Sequence, residues 1–219
     1  MRTLRSLVWP EFTGIPYILF GHSMGAILAR TYAGRDGLDF DAFIFSAVAG
    51  ASPILGIAKI VARFEIKKNG GKLPSMTLYN GTFGSYNKAF RPNRTACDWL
   101  SRDEAKVDEY AADENCGFPF TAHGMKDMFA GMSEISSKAW AKRVPNRPIL
   151  IMSGAKDPVG NNGKGVKQVY NWLKKTGHAP ELKLYEEARH EMLNEINRKE
   201  VYADILGFIN RVRPAAESK

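Results

Sequence analysis

The 219-residue sequence predicts an α/β fold, a mostly parallel sheet carrying an inserted helical block, on three observations. Short apolar runs alternate with longer amphipathic segments at both ends of the chain. The first of these runs stops abruptly at a glycine, as a buried parallel strand does ahead of a helix. Between about Ser52 and Pro148 the alternation lapses into helical or irregular sequence with no convincing strand, which reads as an insertion.

Taken in order, Pro16 to Phe20 is the first strand, and Met24 to Arg35 is a helix with Ile27, Leu28 and Tyr32 at helical spacing. Ala42 to Ser46 is the second strand, followed by a small-residue turn at Ala49 to Ser52. Ser52 to Lys68 carries Ile54, Leu55, Ile57, Ile60, Val61 and Phe64, an apolar face wide enough to pack against a substantial partner. Asn80 to Arg94, rich in glycine, asparagine and aromatics, reads as loop. Ser101 to Ala111 and Gly124 to Val144 read as further helices, the second studded with methionine. The strand and helix rhythm resumes with Ile149 to Ser153 (strand), Asn162 to Thr176 (helix), Leu182 to Tyr185 (strand) and Lys199 to Val212 (helix).

Composition narrows the function classes. The chain is 44% hydrophobic and 25% charged, which is that of a globular protein. No stretch approaches the roughly 20 apolar residues that span a bilayer. The apolar run near the N-terminus is broken by Arg5, Pro10 and Glu11, too short for a signal-peptide core. The expectation is a soluble, cytoplasmic protein without stable membrane insertion. The formal net charge of +8 raises nucleic-acid binding, but the basic residues are scattered, and no zinc-finger spacing or continuous basic helix accompanies them. Cys97 and Cys116 match no metal motif. Free thiols are the simplest account of them, and a bridge between them stays open.

Gly21-His22-Ser23-Met24-Gly25 follows a strand and opens a helix. Small residues around a serine permit the tight strand-to-helix turn that exposes a nucleophilic oxygen. The helix that follows aims its first N–H groups at the reacting carbonyl, so Met24 N–H is an oxyanion donor. Such a serine needs an acid and then a histidine later in the chain. Asp157, in Ser153 to Val159 just past a strand, has the position of the acid. His190, past Leu182 to Tyr185 and before the last helix, has that of the base. His22 belongs to the turn and packs or hydrogen-bonds there, His123 lies in the insertion, and His178 occupies a polar turn that reads as solvent-exposed. In this scheme Asp157 orients His190, His190 takes the Ser23 proton, and Ser23 forms an acyl-enzyme that water cleaves.

The segments FGHSMG, SGAKDPVG and ARHEMLNE together resemble the monoacylglycerol lipase and lysophospholipase branch of the α/β-hydrolases, a branch often called serine aminopeptidase-like. YNKAFRPNRT and DWLSRDE extend the resemblance through the insertion. It implies an eight-stranded sheet, a helical cap over the active site, no metal or other cofactor, and hydrolysis of acyl esters such as monoacylglycerols. On that reading residues 1–50 and 148–219 are the core and 51–147 the cap. Members of the branch carry roughly 80 to 100 residues ahead of the serine turn, including a loop with a second oxyanion N–H. Here Ser23 stands near the start, so the expected fold is N-terminally truncated and Met24 is the one oxyanion donor assigned. An uncovered sheet edge is a liability relieved by association, and a homo-oligomer is expected. Two alternatives accompany the esterase reading. One is an aminopeptidase, for which Glu104, Asp108, Glu109 and Asp113 are the available acids. The other is an impaired acyl-ligand-binding or interaction protein.

Overall fold

Alternate residues of the two central strands point to opposite faces, and both sets are apolar, so these strands are sealed on both sides. In the computed structural model, which describes residues 2–213, β1 (Ile18–His22), β2 (Ala42–Ser46), β3 (Ile149–Gly154) and β4 (Glu181–Tyr185) form one parallel sheet in that spatial order. Phe43, Phe45, Ile149 and Ile151 pack under α2 (Met24–Asp36) and α8 (Lys164–Lys174), through Ala26, Ala29, Val166, Val169 and Leu173. Ala42, Ile44, Leu150 and Met152 face the other way, onto Val201 and Phe208 of α9 (Arg198–Val212). Every residue of β2 and β3 is buried, the pattern of a strand covered on both faces. A short helix, α1 (Arg2–Val8), precedes the sheet, and the Arg5 guanidinium ties it to the 3-10 turn Gly37–Asp39 ahead of β2 by donating to Asp39 O.

Between β2 and β3 lie α3 (Leu55–Asn69), α4 (Met76–Phe83), α5 (Glu104–Ala112), α6 (Ala122–Ile135) and the single turn α7 (Lys138–Ala141). Leu55, Ala62, Leu78, Ala122, Met125 and Phe129 build a core of their own inside this block. The last part of the block belongs elsewhere by packing, since Ile135, Trp140, Ala141 and Val144 join the core under the sheet. The expected α/β arrangement with a helical insertion is therefore observed, but four strands are present among the described residues rather than the eight implied by the resemblance.

Three local readings are corrected. The Asn80–Arg94 segment is not all loop: α4 runs into it as far as Phe83, started by Ser75, whose Oγ accepts from Leu78 N, and a 3-10 turn spans Tyr86–Phe90. The helix expected from Gly124 to Val144 breaks at Ser136, whose Oγ donates back to Met132 O at 2.5 Å. His178 is buried, not solvent-exposed, with Nε2 2.9 Å from Val144 O and Nδ1 3.0 Å from Thr176 Oγ1.

Candidate active site

Ser23 is the N-cap of α2 and has φ 54° and ψ −117°, a strained conformation for a residue with a Cβ. The turn is held from beneath by Ser23 N donating to Ser46 O at 3.0 Å. Gly21 is demanded by the close approach of α2: a Cβ there would lie 2.6 Å from Ala29 Cβ and collide with Gly25 O. Gly25 has no such neighbour, because a Cβ at that position would meet nothing within 4 Å. The two glycines flanking the serine therefore do different work, and steric need falls on the first. Met24 is the first residue of α2, where N–H groups have no acceptor earlier in the helix.

Asp157 is fully buried in the loop beyond β3. Its Oδ1 accepts from Val159 N at 2.9 Å, and its Oδ2 accepts from Ser153 Oγ at 3.4 Å and faces His190 Nδ1 at 2.9 Å. The other ring nitrogen of His190, Nε2, is 2.8 Å from Ser23 Oγ. An ionised Asp157 places the ring proton on Nδ1 and leaves Nε2 as the acceptor for the serine hydroxyl. Three side chains from positions 23, 157 and 190 thus form one continuous hydrogen-bonded row, each carried on a loop beyond the carboxyl end of a parallel strand.

Aromatic rings flank the row. His190 lies between His22, with ring centroids 5.0 Å apart, and Trp99, 4.9 Å away. His22 also faces Ser46 Oγ through Nδ1 at 3.0 Å, in keeping with the packing and hydrogen-bonding expected of it. Burial and the neighbouring His190 lower the His22 pKa to about 4. Above about pH 6.5 this ring is neutral in both the folded and the unfolded chain and contributes nothing to the pH dependence. As pH falls from there towards 4, the unfolded chain takes up the proton first, and stability is lost. Denaturant unfolding at pH 7.5 and pH 5 should show wild type losing on the order of 1–2 kcal/mol more than His22→Asn, the figure already reduced for partial exposure of the ring. Equal losses in the two proteins would rule this out.

A cavity of about 1000 Å³ opens over Ser23 and His190, walled mostly by the inserted helices and by Ile27 of α2. Leu55, Val61, Phe83, Phe129 and Met132 give it an apolar lining. Tyr86 also reaches it, and burial together with the Asp157 charge pushes its phenol up to about 12, so it stays protonated at neutral pH. Sequence reasoning missed Trp99 and Tyr86 as neighbours of the row, because both come from irregular sequence where periodicity carries no signal. Of the acids named for an aminopeptidase, none lines this cavity; Arg94 pairs with Asp108 at 2.6 Å and with Glu104 at 3.7 Å on the outer surface. Cys97 and Cys116 are both free and partly exposed. Among the described residues no cluster of His, Cys, Asp and Glu is arranged to hold a metal, and no helix is long and apolar enough to cross a membrane.

A parallel sheet whose first strand ends in a strained serine turn defines the α/β-hydrolase class. The chain belongs to the family described as serine aminopeptidase S33, whose model matches residues 2–197. It is 27% identical over 223 residues to a monoacylglycerol lipase of Mycolicibacterium smegmatis, covering 95% of this chain and 67% of that protein. A monoglyceride lipase homolog of Monkeypox virus is 27% identical over 208 residues, with 92% and 66% covered. Among solved structures, a thermostable carboxyl esterase from Bacillus coagulans in complex with glycerol superposes with a TM-score of 0.90 at 32% identity, over 96% of this chain and 69% of that one. The chain thus spans about two thirds of the length of these relatives. It falls in the lipase and esterase branch of the α/β-hydrolases, among the carboxylic ester hydrolases.

Proposed function

We propose that the chain hydrolyses short to medium acyl esters, monoacylglycerol- or lysophospholipid-like, through Ser23, His190 and Asp157. The observation that carries the reading is the unbroken row from Ser23 Oγ to His190 Nε2 at 2.8 Å and from His190 Nδ1 to Asp157 at 2.9 Å. In the proposed cycle His190 removes the Ser23 proton as the oxygen attacks the ester carbonyl, and Met24 N–H receives the developing oxyanion. His190 then returns the proton to the departing alcohol, and a water activated by the same ring releases the acid from the acyl-enzyme. Residues 51–147 serve as the cap in this reading, and the apolar cavity under them takes the acyl chain.

The peptidase alternative is less well supported. A free α-amino group needs a carboxylate near the reacting carbonyl, and the acid that lines the cavity is Glu191, one of whose oxygens is already occupied by Asn194 Nδ2 at 2.7 Å. Hydrolysis of p-nitrophenyl acetate, butyrate, octanoate and laurate should therefore exceed that of leucine p-nitroanilide by at least about 10³-fold in kcat/KM, most of all at butyrate or octanoate. A preference for the anilide would overturn the ester reading. The proposal extends to self-association: among the described residues β1 lies at one edge of the sheet, and Phe20 on it is 38% exposed. Light scattering on the eluting protein is expected to give a mass of two or more chains, and a monomer at micromolar concentration would refute that extension.

A further inference from the structure

The backbone at His190 and Glu191 is held from the inserted block, while Ala188 O just before them accepts from Lys156 N in the loop beyond β3. His190 N donates to Trp99 O at 3.4 Å, and Glu191 N to Leu100 O at 2.7 Å. The Arg189 guanidinium donates to Asp98 O and to Ser101 O, and Ser101 Oγ donates to Asn194 O at 2.9 Å. At the centre of this seam is Glu195, a carboxylate with no exposed surface. Its Oε1 accepts from Arg189 N at 2.8 Å and Arg102 N at 3.2 Å, while its Oε2 accepts from Arg102 Nε at 2.8 Å and Ile196 N at 3.2 Å. Arg102 Nη2 continues to Asn197 Oδ1 at 2.8 Å. One carboxylate therefore binds the N–H of the residue immediately before His190 and, in the same grip, the backbone and side chain of Arg102, the residue just ahead of the N-cap of α5.

We propose that Arg102 and Glu195 are a positioning pair that sets the height and tilt of His190 against Ser23, coupling the seating of the inserted block to the placement of the base. The inference rests on the reading of His190 as general base. A buried carboxylate whose cation is removed must be neutralised or must reorganise, and either change reaches Arg189 N directly. The row tolerates little displacement, because a misplacement of about 1 Å can cost roughly 10²-fold in rate. The pair touches neither Ser23 nor the cavity wall, so its effect is expected in kcat and not in substrate affinity.

The test uses the whole chain with p-nitrophenyl butyrate as substrate, and counts competent sites by the endpoint of labelling with an alkyl fluorophosphonate. Arg102→Gln and Glu195→Gln are each expected to lower kcat per labelled site by about ten-fold or more, with KM within about three-fold of wild type. The double variant restores a neutral, hydrogen-bonding pair and is expected to return to within about three-fold of wild type. A pair needed only for folding would instead reduce the number of labelled sites and leave the rate per site within about two-fold. That result overturns the proposal, and so do singles whose effects simply multiply in the double variant. If Arg102→Gln does not yield folded protein, Arg102→Lys keeps a cation against Glu195 and is expected to lose about three-fold or more per site; wild-type turnover there also counts against the pair. Ester turnover unaffected by Ser23→Ala and His190→Ala would defeat the triad reading itself, whereas wild-type rates in the pair variants alone would defeat only the coupling.

Discussion

Ser23→Ala is expected to lower turnover of p-nitrophenyl butyrate by about 10⁴-fold or more while leaving the fold intact. The magnitude follows from what the hydroxyl does in the proposed cycle: without it no acyl-enzyme forms, and His190 is left to activate water against an ester held by binding contacts alone. Knocking out the serine of a well-studied serine protease costs about 2 × 10⁶ in kcat, and the figure expected here is set conservatively below that. Stability should change little or improve slightly. Ser23 accounts for the strained φ of 54°, and alanine is no better suited to it, but the substitution removes a polar group from a crowded turn. Near-identical rates for the two proteins would mean that whatever hydrolyses the ester is not this row of residues.

Asp157→Asn is expected to cost about 10⁴-fold in kcat, through the tautomer and not through the loss of a contact. Asparagine keeps an oxygen for Val159 N, now 2.9 Å from Oδ1, so the loop has no reason to move. Its amide donates where the carboxylate accepted, and Nδ1 of His190 must then become the acceptor. The ring proton moves to Nε2, which points at Ser23 Oγ across 2.8 Å and can no longer receive the serine proton. Activity should recover partly at high pH, where hydroxide relieves the need for a neutral base. A loss below about ten-fold at pH 7 would show that Asp157 does not orient His190, and would return the acid to an ordinary turn residue.

The positions of the three residues proposed as a triad were legible because each of them follows a strand whose apolar run could be read. Ala42–Ser46 is matched to the residue, whereas β1 begins two residues later than expected, where pairing with β2 starts at Ile18 opposite Ala42, and runs past Phe20 through pairing of Gly21 with Phe45 and of His22 with Ser46. Ser23, Asp157 and His190 then fall where strand ends must place them. What was illegible is held by contacts distant in sequence. Nothing in Gly177-His178-Ala179-Pro180 reveals that Val144 O waits at the ring nitrogen Nε2, and asparagine and glycine after Met76 concealed a helix whose start depends on Ser75. Glu195 shows the same limit: an acid in a polar stretch, one residue among 23 Asp and Glu, it is distinguished only by the four N–H groups that converge on it in space.

The seam along Asp98 to Arg102 also bears on how such an enzyme can be remade. Exchange of substrate preference between relatives is most simply attempted by grafting one protein's insertion onto another's sheet, cutting where the chain leaves and re-enters the core. Here that cut would transplant Trp99, Leu100 and Arg102 away from the loop they support, and the recipient's histidine would inherit a foreign brace. The helices that wall the cavity, α3, α4 and α6, carry an apolar core of their own, although the end of α6 at Ile135 also packs into the core under the sheet. A chimera that exchanges those helices while retaining residues 94–103 of the recipient respects the boundary drawn by the hydrogen bonds, which is not the boundary drawn by the order of the chain.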